Sequence, residues 1–140
     1  MTNRYQSISA AFLFGLGLSI NSAPAAAEST ICQINGEFST FRAITWDTDS
    51  REAHMVDMTE EKHSGRMVYS RNYSDIGEKI NFVFEFQPEL YGTEEAEFIV
   101  FPDPQTNNGY RMIGAGYIRV DGERFLDVAY PSMPLDCISL

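Results

Sequence analysis

Lys79-Ile80-Asn81-Phe82-Val83-Phe84-Glu85-Phe86 decides the fold. Ile80, Phe82, Phe84 and Phe86 fall on one face, and Lys79, Asn81, Val83 and Glu85 on the other. A repeat of two is the strand period, because successive Cβ atoms in extended chain point to opposite sides. One face is heavily aromatic and the other mostly polar, so the strand covers a core on one side only. Gln87-Pro88 reads as its end.

Working outward, the same grammar recurs. Glu97 to Phe101 is a second apolar run, stopped by Pro102-Asp103-Pro104. Gln105-Thr106-Asn107-Asn108-Gly109 follows, rich in residues that tolerate turn dihedrals. Tyr110 to Val120 is the next strand. Asp121-Gly122 is a strong hairpin signal, and Arg124 to Tyr130 returns from it. Upstream, Phe41 to Trp46 is a strand with Asp47-Thr48-Asp49-Ser50 as its turn. Arg66 to Arg71 is another, entered through Ser64-Gly65 and left through Asp75-Ile76-Gly77. Gly114 and Gly116 share one face of their strand, which implies a bend, a bulge or a close neighbour.

Turn signals spaced roughly every 8–14 residues predict an all-β domain, a small antiparallel meander of about eight strands closed as a barrel or folded as a sandwich. Arg51 to His63 is ambiguous. Asp49 and Glu52 resemble a helical capping box, and Ala53, Met55, Val56 and Met58 fit a helical face loosely. A strand fits no better, because Asp57 then shares a face with Met55. The good hairpin turn at Asp47 to Ser50 tips the reading to strand.

Residues 1–27 read as a secretory signal peptide. Arg4 is the positive start, Ile8 to Ile20 the apolar stretch, and Ala25-Ala26-Ala27 the small-residue cleavage motif before Glu28. That apolar stretch is too short for a bilayer span, which needs roughly 20 residues. The cleavage motif is not followed directly by a cysteine, so no lipid anchor is expected after signal cleavage. Residues 28–140 then form one domain, periplasmic or secreted. Its two cysteines, Cys32 and Cys137, lie near its ends, and in an oxidising compartment they are expected to form a disulfide. Closing a loop of about 100 residues is worth roughly 4–5 kcal/mol in the chain-entropy model.

The chain has 10 Lys+Arg against 20 Asp+Glu, for a formal charge of −10. Removing 1–27 takes away Arg4 and no acid, so the remainder is more acidic still. Such a charge repels phosphate backbones and excludes nucleic acid as a natural partner. Gly114-Ala115-Gly116 lacks the third glycine of a dinucleotide fingerprint, and there is no Walker lysine motif. The chain has only two histidines, His54 and His63, and no Gly-x-Ser-x-Gly elbow, so catalysis by a nucleophilic triad is not expected. Paired carboxylates for glycoside hydrolysis need a cleft that a ring-filled domain of this size seldom offers. Asp47-Thr48-Asp49 opens like a calcium loop, but Arg51 stands at the fifth position. His54, Met55, Met58, His63 and Met67, with Trp46 nearby, make up a donor set suited to Cu(I). On a strand, however, Met55 and Met58 point to opposite faces. No enzyme activity, cofactor or metal is expected, and periplasmic copper binding ranks below the protein-binding and carrier readings.

Binding is what remains. A strongly acidic exported domain raises its encounter rate with basic proteins. Ser64-Gly65-Arg66-Met67-Val68-Tyr69 resembles the Ser-Gly-x-x-Tyr loop of the membrane-bound and periplasmic C-type lysozyme inhibitors, with one extra residue before the tyrosine. Those proteins are small, disulfide-containing bacterial β-barrels that block a basic enzyme. The resemblance implies a lysozyme-inhibitor-like barrel with Ser64, Gly65 and Arg66 as a partner-binding loop, and the domain is expected to be a monomer. The rival expectation is a lipocalin-like carrier of a small hydrophobic ligand or lipid, which requires a cavity of a few hundred Å³.

Overall fold

The computed structural model describes residues 28–36, 39–74, 77–106 and 109–140. Residues 1–27, over which a signal peptide is expected, and residues 37, 38, 75, 76, 107 and 108, which include part of the expected turns at Asp75-Ile76-Gly77 and Gln105 to Gly109, lie outside the described residues. Eight strands follow one another: β1 (Ser29–Ile34), β2 (Phe41–Asp47), β3 (Glu52–Asp57), β4 (Lys62–Tyr73), β5 (Gly77–Leu90), β6 (Thr93–Pro102), β7 (Gly109–Val120) and β8 (Glu123–Ser139). Each pairs antiparallel with the next, and β8 pairs back onto β1, so the sheet is a closed barrel and not a sandwich. Closure removes the free sheet edges that invite aggregation. Among the described residues no helix is long and apolar enough to cross a membrane.

The seam between β1 and β8 runs from Thr30↔Ser139 to Ile34↔Leu135. Cys32 and Cys137 face each other in that ladder with Cα atoms 4.0 Å apart, and their sulfurs are bonded. The bridge therefore staples the first strand to the last across the closing seam.

Hairpin chemistry sets the register. Asp121 and Gly122 both have positive φ, 51° and 83°, as a tight two-residue turn between Val120 and Glu123 requires. Tyr91 and Gly92 do the same at 52° and 89°, joining Leu90 to Thr93. Tyr-Gly is a weaker hairpin signal than Asp-Gly, and β6 starts at Thr93, ahead of the Glu97 expected from sequence. β5 likewise runs past the end expected at Gln87-Pro88. Pro88 has no N–H to donate to the ladder. Pairing with β6 breaks after Glu85↔Glu95, resumes at Leu90↔Thr93, and Leu90 is again buried. The Gln87–Pro88 peptide is cis. Arg51 to His63 is a hairpin, β3 into β4, and not a helix. β8 runs past Tyr130 because Met133, Leu135 and Cys137 keep alternating inward along β7 and β1.

Rings fill the barrel. Phe41 meets Phe98 and Tyr130, each with centroids 5.2 Å away. Trp46 packs on Phe82 at 5.2 Å, and Phe84 on Phe98 at 6.0 Å. Met55, Met67, Met112 and Met133 are buried among them, the flexible side chains that fill irregular gaps. Two glycines make room for this. Gly65 lies opposite Phe84 and Gly114 opposite Phe98. A Cβ at either would come within 2.4 Å of the facing ring.

Candidate functional site

The turns of β1–β2, β3–β4, β5–β6 and β7–β8 gather at one end of the barrel; the termini and the other three turns gather at the opposite end. Two constellations sit at the first end.

The first is an acidic cleft of about 720 Å³, lined by Glu85, Phe86, Gln87, Pro88, Glu89, Glu94, Glu95 and Arg119. It owes its shape to the break in β5. Where Pro88 forces the strand out of the ladder, Gln87 to Glu89 stand away from β6, and the acids of both strands flank the gap. Arg119 reaches Glu95 at 3.6 Å, and its backbone N–H donates to Glu94 at 3.2 Å. Arg124 holds Glu95 at 3.0 Å and Glu97 at 2.9 Å while lying 3.5 Å over the Tyr117 ring. Two arginines thus occupy Glu95 and Glu97. Glu85 and Glu89 make no ion pair among the described residues.

The second is buried. Asp57 closes β3 on the inner face, and His63 lies across the hairpin, also facing in; both side chains are almost wholly excluded from solvent. Asp57 Oδ1 accepts the Thr59 N–H at 2.8 Å, the Thr59 hydroxyl at 2.7 Å and the Glu61 N–H at 3.0 Å. Its Oδ2 faces His63 Nε2 at 2.8 Å. Burial raises the Asp57 pKa, but the hydrogen bonds from Thr59, His63 and Glu61 outweigh it and bring the carboxyl to about 2. The His63 ring meets Phe86 edge-on at 4.9 Å.

The residues singled out from sequence are placed as follows. Cys32 and Cys137 are bonded. Ser64, Gly65 and Arg66 do not form a protruding loop. They lie within β4, paired to His54, Ala53 and Glu52 of β3, with Gly65 beneath the Phe84 ring. Residues 58–61 make the turn instead, because Asp57 ties down its N–H groups. Ser64 and Arg66 face solvent, and Ser64 Oγ lies 3.5 Å from His54 Nδ1.

The thioether and imidazole set does not converge. Met55 and Met67 are core residues, and Met58 is exposed, taking the Tyr91 hydroxyl on its sulfur at 3.2 Å. His54 and His63 lie on opposite faces of the wall.

Neither the Asp57–His63 pair nor the cleft is among the sites expected from sequence. The first was signalled by the very clash that made β3 ambiguous, an acid on the face of Met55. The second was signalled by a proline in mid-strand beside an acidic run.

At the opposite end, a hollow of about 400 Å³ is lined by Trp46, Ile80, Tyr110 and Cys137 among others, with Glu28, Glu78 and Asp103 also on its wall. Comparison of the chain with protein-family models, curated proteins and solved structures found no match.

Proposed function

We propose that this chain is an exported, monomeric, non-catalytic binding domain whose partner is a basic protein, with inhibition of a cationic enzyme such as lysozyme as its most specific form. The observation that supports it is the acidic cleft at the Pro88 break. Glu85 and Glu89 make no ion pair there among the described residues, on a protein of formal charge −10. A lysine or arginine side chain of the partner supplies that cation, and the broad negative field speeds its arrival. The ring-filled lumen supports docking on the outside of the barrel over carriage within it. The cysteine bridge fits a protein that works outside the cytoplasm.

The test is calorimetric titration of the purified protein with a lysozyme at about 50 and about 500 mM NaCl. The expected result is saturable binding at low salt, weakened at least about tenfold at high salt and again by joint Glu85→Gln and Glu89→Gln. Loss of the enzyme's activity in the complex gives the inhibitor form. Absence of saturable binding to lysozyme and to other basic proteins overturns the proposal.

One observation favours a second reading. The hollow lined by Trp46, Ile80 and Cys137 is wide enough for a small amphiphile, as a carrier needs. Quenching of the single tryptophan by a hydrophobic probe, with no binding of basic proteins, selects that reading.

A further inference from the structure

We propose that Asp57, Glu61 and His63 form a binding site for a divalent first-row cation of the zinc class. One donor atom from each of the three lies within 4.8 Å of the others. Two carboxylate oxygens and one imidazole nitrogen are ligands that zinc accepts readily, leaving a fourth position for water.

The turn has already oriented the ligands. Three hydrogen bonds on Oδ1 fix the plane of the Asp57 carboxylate and leave Oδ2 aimed at His63. The edge of the Phe86 contact holds the imidazole plane. Outer contacts of this kind orient metal ligands in established sites. Oδ2 and Nε2 are 2.8 Å apart, whereas two ligands on one tetrahedral zinc stand about 3.3 Å apart. The pair therefore needs to open by only about half an ångström. The ion takes the place of the proton shared between them, and that proton leaves to solvent. Glu61 is exposed and brings the third oxygen from outside.

An opening in the wall leads to His63, with neither Asp57 nor Glu61 on its lining. The β4–β5 ladder begins at Gly65↔Phe84, so Lys62 to Ser64 and Glu85 to Gln87 are not paired to each other. The opening between them, about 320 Å³, is lined by Lys62, His63, Ser64, Glu85 and Gln87 and reaches the histidine. Glu85 favours a cation there and Lys62 opposes it.

The purified protein is titrated with zinc chloride by calorimetry near neutral pH, and cobalt(II) is added in parallel as a spectroscopic probe. The expected result is one equivalent bound with micromolar or tighter affinity, a melting temperature that rises with zinc, and visible absorption from cobalt in a low-symmetry site. Glu61→Ala is the decisive variant, because among the described residues its exposed side chain makes no hydrogen bond or ion pair and only its backbone serves the turn. It is expected to weaken zinc at least about tenfold while leaving the metal-free melting temperature unchanged. His54→Ala is expected to change nothing. No stoichiometric binding, or binding that survives Glu61→Ala and is lost with His54→Ala, overturns the proposal.

Discussion

Asp57 is the residue on which most of this end of the barrel depends. An acid among methionines and phenylalanines is costly unless every oxygen is satisfied, and here three turn donors and one imidazole do so. Asp57→Ala strands the Thr59 and Glu61 N–H groups and the His63 ring nitrogen, so we expect a loss of about 3 kcal/mol in urea unfolding. Asp57→Asn keeps some turn bonds and is expected to cost less. The sign of the pH dependence follows from the same contacts. The folded carboxyl titrates at about 2 against an ordinary 3.8, so its contribution is complete above the ordinary value and is lost as pH falls through the folded one. Asp47, lowered by the Ser50 N–H first of all, adds in the same direction. Melting temperature is therefore expected to hold steady between about pH 7 and 5 and to drop between about pH 4 and 2. In Asp57→Asn that acid drop is shallower. A steep fall already between pH 7 and 5 contradicts the assignment. From sequence the residue was visible only as an obstacle, because periodicity counts an acid on an apolar face as a misfit. Its partner, six residues on across a turn, is known only once the hairpin is drawn.

At the level of strands, what was legible followed from how local the signal was. The alternation through Ile80, Phe82, Phe84 and Phe86 and the Asp121-Gly122 turn are short-range signals, and both elements stand as read. The boundaries that moved were set by partners distant in sequence. β8 extends past Tyr130 because β1 is there to pair with, and β5 resumes at Leu90 because Thr93 faces it. Ser64 to Arg66 looked like a loop because Ser-Gly is a turn signal. The glycine instead serves the Phe84 ring across the ladder, which no local rule reveals. Gly114 does the same for Phe98. We expect Gly114→Ala to destabilise the domain by about 1–3 kcal/mol, since its Cβ would meet the ring at 2.4 Å and the Glu97 carbonyl at 2.7 Å, and backbone cannot yield as a side-chain tip can. Gly92 has nothing within 4 Å of its would-be Cβ, so a substitution there strains only a positive φ. Thermal unfolding of the two alanine variants side by side separates crowding from backbone strain.

For the whole molecule, the barrel, the staple and the charge act together. The disulfide joins strands that are already neighbours, so its effect falls mainly on the unfolded chain, which loses the freedom of a 105-residue separation. Joint Cys32→Ser and Cys137→Ser is expected to remove up to about 4–5 kcal/mol while the folded fraction keeps its strand content by circular dichroism. With rings packed in the lumen and the seam closed, the proposed recognition of a partner falls to the outer surface of a chain whose acids outnumber its bases. The fold class and the staple were legible in the sequence because they rest on periodicity and on two cysteines. The proposed place of docking was not, because the cleft there arises from a break in pairing between β5 and β6. Amide-resolved NMR of the purified protein during titration with a lysozyme tests the docking claim most directly. The account predicts that Glu85 to Thr93 and Arg119 shift while Trp46, Thr30 and Tyr110 stay still. Shifts confined to Trp46, Thr30 and Tyr110 at the far end, or none at all at low salt, contradict it.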